Sequence, residues 1–253
     1  MDRPAISVTS VGRSIKRPAD RIIFALDLPT FSEAKKYIDR LAGQVGLFKV
    51  GLELFVQAGP KIVDYIHQQG STGIFLDLKL HDIPVTVARA MARIADLGIS
   101  LTTVHCGENP AMLEAAVAAA GPVGVLGVTV LTSVSAAHLV RAGFQPELAG
   151  TPAALVRMRA AAARAAGCAG VICAGSEVRP IKKHLGRHFL AVTPGIRLAG
   201  QAVSHDDQQR ITTPARAIAD GADYLVIGRP IRQADDPGER VAMIAAEIES
   251  AGG

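Results

Sequence analysis

The chain has 253 residues, 49% of them hydrophobic, and 27 Lys and Arg against 23 Asp and Glu give a formal charge of +4. That length suits one eight-fold β/α barrel or two small domains, and the apolar fraction allows a sizeable buried core. The small and scattered positive excess, the absence of Trp and the lack of a basic run interleaved with aromatics argue against nucleic acid and fit an anionic metabolite better.

Residues 1–20 lack the apolar h-region of a secretory signal and read as a polar extension, with the barrel domain expected over 21–253. From there, short apolar runs alternate with helical patterns at roughly the spacing of a βα unit. Strands are expected at 22–27, 47–51, 73–79, 101–105, 123–131, 170–174, 189–194 and 224–228. Helices are expected at 32–42, 60–69, 84–97, 111–120, 152–166, 176–185, 214–220 and 237–250. Ser32 reads as an N-cap, and several other helices begin at or near Pro. The strand candidates are mostly continuous apolar runs, as strands covered on both faces require.

Residues 115–140 carry no Asp, Glu, Lys or Arg, a composition that resembles a membrane span in a hydropathy scan. Gly121-Pro122 divides them, and the β-branched residues beyond read as a buried strand. Cys106, Cys168 and Cys173 form neither a CxxC pair nor an even framework, so reduced buried thiols and a cytoplasmic location are expected. Eight alternations favour a closed (β/α)8 TIM barrel of the α/β class over an open sheet. An open sheet would also usually show a Gly-rich loop after its first strand. Here that strand runs into Leu26-Asp27-Leu28-Pro29.

A barrel collects its active site at the C-terminal ends of its strands, so the polar residues there are informative as a set. They are Asp27, Lys49, Asp77 with Lys79, His105, Thr132, Arg197, and Gly228 with Arg229. Asp77 and Lys79 are two apart, which on a regular strand places them on one face. With Lys49 and Asp82 they permit a row of alternating charges, each neighbouring pair worth roughly 4 kcal/mol at about 4 Å and an effective dielectric near 20. Such a row suits loss of CO2 from a carbon without an electron sink, because the carbanion forms beside the Lys79 ammonium. Gly228 permits close backbone approach and Arg229 offers a fork for phosphate oxygens, with Arg197 and Gln208 available to complete the grip. His105 reads either as a substrate contact or as a barrel-lining histidine bonded to a neighbour. Lys182, Lys183, His184, Arg187 and His188 read as a solvated helix end.

At these residues the chain resembles the orotidine 5'-phosphate decarboxylase family. The resemblance runs from Ile22 to about Ile248 through the segments ALD at 25–27, FKVG at 48–51, FLDLKLHDIP at 75–84, VTVLTS at 128–133, TPGIR at 193–197, DQQRITTP at 207–214 and IGRPI at 227–231. It implies a homodimer with shared active sites, and chemistry without metal or organic cofactor. It also implies that Lys49, Asp77 and Lys79 act within one subunit, with Lys79 the proton donor, while Asp82 and Thr86 serve the other subunit's site. Asp27 is implied at the ribose, Thr132 and Ser133 near the pyrimidine, and Arg197, Gln208, Gly228 and Arg229 at the phosphate. The chain departs from the family in Val85, where Asn is frequent, and Gln201 and Gln209 rival Gln208. Two other functions remain open on sequence: a metal-dependent sugar-phosphate decarboxylase or aldol-type synthase sharing Asp-x-Lys-x-x-Asp, and a non-catalytic phosphate-binding scaffold.

Overall fold

A computed structural model describes residues 15–70, 72–107, 109–150, 152–198 and 210–252. Eight parallel strands close into a barrel in chain order: β1 Ile22–Ala25, β2 Leu47–Gly51, β3 Gly73–Leu80, β4 Leu101–His105, β5 Gly124–Val128, β6 Gly170–Ile172, β7 Leu190–Thr193 and β8 Tyr224–Ile227. β1 pairs with β2 on one side and with β8 on the other, which leaves no open edge. This is the (β/α)8 barrel expected from the alternation of apolar runs.

Several strands are shorter than their apolar runs, because their last residues leave the ladder to turn over the rim. Residues 26 and 27 lie beyond β1, and residues 129–131 lie beyond β5. Eight helices stand within two residues of where periodicity puts them. Among the described residues, five more were not anticipated: the 3-10 helix Pro18–Arg21, Leu52–Ala58, Ala136–Arg141, Pro146–Ala149 and Arg229–Arg232. These are too short to show a helical period in sequence. Ser32 is not a cap. Thr30 caps the helix Phe31–Leu41, its Oγ1 accepting from the Glu33 N–H at 3.2 Å. The Thr-x-x-Glu spacing accounts for the choice, since it sets a capping oxygen three residues before an acidic side chain.

Two cores follow from the two faces of the strands. Ile23, Leu47, Phe75, Leu101, Leu126, Leu190, Val192 and Tyr224 fill the barrel interior. A larger cluster, with Phe24, Phe48, Leu76, Val104 and Val171, seals the strands against the helices. Fully burying a side chain such as Phe75 contributes about 1.5–3 kcal/mol. Gly170 is required by close approach, because a Cβ there would lie 2.2 Å from the Leu190 carbonyl oxygen.

The charge-free stretch 115–140 resolves into the end of the helix Pro110–Ala119, β5 and the helix Ala136–Arg141. Among the described residues, no helix is long and apolar enough to cross a membrane. Cys106, Cys168 and Cys173 are free and buried. The basic cluster near residue 184 is not wholly a solvated helix end. Lys182 Nζ donates to the carbonyls of Arg187 and Phe189 at 3.0 and 2.8 Å and pairs with Asp223 at 2.6 Å. It ties the helix Gly175–Leu185 to the turn before β7, and its stem is buried along the way.

Candidate active site

The strand pleat determines where chemistry can sit. Ile23, Leu47, Phe75, Leu101 and Tyr224 pack together in the barrel interior. Two residues further along each strand, the same face carries Ala25, Lys49, Asp77, Thr103 and Val226. The barrel therefore changes from packed core to functional layer within one pleat. Above this layer opens a cavity of about 660 Å³, a size that suits a small ligand.

Its floor is a row of charges. Lys49 Nζ lies 2.7 Å from Asp27 Oδ1 and 3.7 Å from Asp77 Oδ2. Lys79 Nζ lies 2.7 Å from the same Asp77 Oδ2. The alternating row in this chain is thus Asp27–Lys49–Asp77–Lys79. Asp27 extends the row at its Lys49 end, whereas Asp82, expected beside Lys79, lies beyond the rim of its own barrel. Asp82 is exposed, outside the cavity lining, and its Oδ1 accepts from the Ile83 N–H at 2.6 Å. Thr86 is likewise exposed on the first turn of the helix Pro84–Asp96.

The lysines and Asp77 are largely withdrawn from water, with side-chain exposures of 10% for Lys49 and Asp77 and 30% for Lys79. Burial pushes the Asp77 carboxyl upward. The Lys49 and Lys79 ammoniums, with hydrogen bonds from Lys79 and Thr103, outweigh it and hold the group below the ordinary carboxylate value. Asp77 is therefore ionised at neutral pH. Gly51 leaves room for this arrangement, since a Cβ there would lie 3.2 Å from Lys49 Nζ and 3.5 Å from Asp27 Oδ1.

Asp77 and Lys79 do not meet through a regular pleat. β3 loses register with β4 between Leu76 and Leu80, and Lys79 has a φ of 50°. A non-glycine residue in this left-handed region costs roughly 1–2 kcal/mol. Lys79 is the one non-glycine residue with positive φ among the described residues. The irregularity folds the Lys79 ammonium back over the Asp77 carboxylate.

The cavity wall takes Thr132 and Ser133 from the loop after β5, Arg197 from the loop after β7, and Gly228 and Arg229 from the end of β8. Arg197 Nη1 donates to the Ile196 carbonyl at 2.7 Å. The base of loop seven is tied by a short bridge between Ile196 and Thr212, with the Arg197 N–H on the Thr212 carbonyl at 2.9 Å. Gln208, with its rivals Gln201 and Gln209, lies outside the described residues. His105 is not part of the cavity lining. Its ring centroid is 5.4 Å from that of His81, and burial together with the nearby charges of His81, Lys79 and Arg159 pushes its pKa down.

Three residues escaped the sequence reading. Arg232 lines the cavity, and its guanidinium donates to the Asp27 carbonyl. Its spacing of three from Arg229 was the available signal. Arg210 pairs with buried Glu177 and donates to the carbonyls of Val130 and Leu131 at 3.1 and 3.0 Å, linking loops seven and five. Thr103 contacts both Asp77 and Lys79, at 2.8 Å through Asp77 Oδ1 and 2.9 Å through the Lys79 N–H. Phe75 pairs with Leu101, and Asp77 and Thr103 each lie two residues further along, a correspondence that aligning β3 with β4 would have revealed.

A family model described as orotidine 5'-phosphate decarboxylase / HUMPS family matches residues 20–244. An orotidine 5'-phosphate decarboxylase from Desulfosudis oleivorans is 54% identical over 238 residues, covering 93% of this chain and 96% of that protein. A second, from Halorhodospira halophila, is 46% identical over 236 residues and covers 92% of this chain and 97% of its own. The crystal structure of orotidine 5'-phosphate decarboxylase from Lactobacillus acidophilus superposes with a TM-score of 0.78 at 36% identity, covering 92% of this chain and 99% of that one.

Proposed function

This chain belongs to the orotidine 5'-phosphate decarboxylase / HUMPS family, and from that premise we propose that it is a carboxy-lyase converting orotidine 5'-phosphate to uridine 5'-phosphate and CO2 in pyrimidine nucleotide synthesis. The observation that carries the reading is the Lys79 ammonium held 2.7 Å from a buried, ionised Asp77 at the cavity floor.

The chemistry follows from that pair. A substrate carboxylate set against Asp77 meets a like charge, while the carbon that bears it faces Lys79. As the carbon–carboxylate bond breaks, CO2 departs and the electron pair stays on the ring carbon. The ammonium stabilises that pair and then transfers a proton to it, leaving uridine 5'-phosphate. Lys79 is partly exposed and regains its proton from water. Attraction between ammonium and carbanion is strongest once CO2 has left, so it lowers the barrier more than it tightens substrate binding.

Lys49 acts with Asp77 and Lys79, Asp27 meets the ribose, Thr132 and Ser133 face the pyrimidine, and Arg197, Gln208, Gly228 and Arg229 take the phosphate. Barrels commonly bind phosphate at loops seven and eight, which supports that orientation. Asp82 and Thr86 serve the site of a second copy in a cytoplasmic homodimer. Their exposure beside exposed Ile83 and Val85 supports a contact between copies.

The reaction needs neither metal nor organic cofactor, because the fixed charges already stabilise the carbanion. Among the described residues, no group of three or more His, Cys, Asp or Glu side chains is placed to hold a metal ion. Turnover of orotidine 5'-phosphate in excess chelator tests this against the metal-dependent alternative. Equal rates with and without chelator are expected. Activity that requires added magnesium would favour the sugar-phosphate chemistry, and tight binding of uridine 5'-phosphate without turnover would favour a scaffold.

A further inference from the structure

We propose that Thr103 is a positioning residue, which sets the geometry of Asp77 and Lys79 from beneath the cavity floor. The proposal rests on the decarboxylase reading above. Thr103 is fully buried and absent from the cavity lining, so it cannot touch a ligand directly. Its hydroxyl nonetheless reaches both charged residues. The O–H donates to Asp77 Oδ1 at 2.8 Å, and the oxygen accepts the Lys79 backbone N–H at 2.9 Å.

Each bond answers a different need. The two ammoniums both lie on Asp77 Oδ2, and Thr103 holds the opposite oxygen. A carboxylate restrained at one oxygen is free to swing about its terminal torsion, and Thr103 locks that rotation. Where β3 leaves register with β4, the Lys79 N–H meets a side-chain hydroxyl instead of a strand carbonyl. That contact stabilises the left-handed Lys79 backbone, which a non-glycine residue adopts only under restraint. One hydroxyl thus orients the carboxylate and fixes the direction of the proton donor.

The neighbouring Thr102 supplies the contrast. It is equally buried, but its hydroxyl donates to the Leu76 carbonyl at 2.8 Å and reaches neither charge. Thr102 has a structural bond, whereas the Thr103 bond aims reacting groups.

The experiment compares wild type with Thr103→Val, Thr103→Ser and Thr102→Val on orotidine 5'-phosphate, measuring kcat, KM, pH profile and thermal midpoint. Wild-type turnover checks the decarboxylase reading by itself, and its absence would overturn both. Given turnover, Thr103→Val is expected to lower kcat about 30-fold with KM changed less than about threefold, the scale of one charge-assisted hydrogen bond. Thr103→Ser should recover to within about threefold of wild type, and Thr102→Val should stay there even if its midpoint falls. The acid limb of kcat should rise in pH in Thr103→Val, because the Asp77 carboxylate loses a donor. The other titratable groups around Asp77, with Lys49 and Lys79 on its carboxylate, Asp27 on Lys49 and His105 within electrostatic reach, are the same in both proteins. A kcat of Thr103→Val close to wild type, an equal loss in Thr102→Val, no recovery by serine, or an unmoved acid limb would each overturn the proposal. If the valine variant does not fold, Thr103→Ala against Thr103→Ser makes the same comparison.

Discussion

Replacing Lys79 with alanine tests whether the charge row performs the chemistry. The carbanion is expected about 4 Å or less from the ammonium, and at an effective dielectric near 20 their attraction is about 4 kcal/mol. Its loss alone slows turnover about a thousandfold. Loss of the proton donor adds to that effect, so the combined decrease should be at least about a thousandfold. The site should keep its shape. Asp77 retains Lys49 at 3.7 Å and the Thr103 hydroxyl at 2.8 Å, so its buried carboxylate is not left unpaired. Initial rates of CO2 release supply kcat, and calorimetric titration with uridine 5'-phosphate reports whether the cavity is intact. A decrease of less than tenfold with unchanged nucleotide affinity would refute the role of Lys79, because the same pocket would then be working without its acid.

Mixing Asp82→Ala with Lys79→Ala subunits should restore part of the activity, since one hybrid site recovers both groups; no recovery despite demonstrated subunit exchange would refute shared sites. The depressed Asp77 pKa stabilises the fold above the ordinary value of 3.8, and that stability is lost as pH falls through the lower folded value. Thermal midpoints should therefore fall less steeply below about pH 5 in Asp77→Asn than in wild type, and parallel curves would contradict the linkage. Burial pushes the Cys106 and Cys168 thiols up to about 12 and Cys173 higher still. A disulfide reagent at neutral pH should then label no cysteine in the native protein and all three after unfolding; native labelling at any of them would show that its burial is wrong.

Much of the site was legible in sequence because barrel strands obey simple rules. An apolar run followed by Asp, Lys, Arg or Gly marks a rim position, and Asp27, Lys49, Asp77, Lys79, Arg197, Gly228 and Arg229 all line the cavity. Local rules do not show contacts made across strands. Asp27 joins the row at Lys49 because β1 and β2 are adjacent and Ala25 stands in register with Lys49. Lys182 read as surface charge because its partners, Phe189 and Asp223, come from later turns.

Alternating apolar runs and helical periods determined the eight-fold barrel and which residues rise to its rim, because strand and helix periods are local properties of the chain. Pairing across the barrel interior was decided only in three dimensions. The left-handed Lys79, the hydroxyl of Thr103 beneath it and the meeting of Asp27 with Lys49 all depend on interstrand register. Register arises from closing all eight strands at once, and no single segment encodes it.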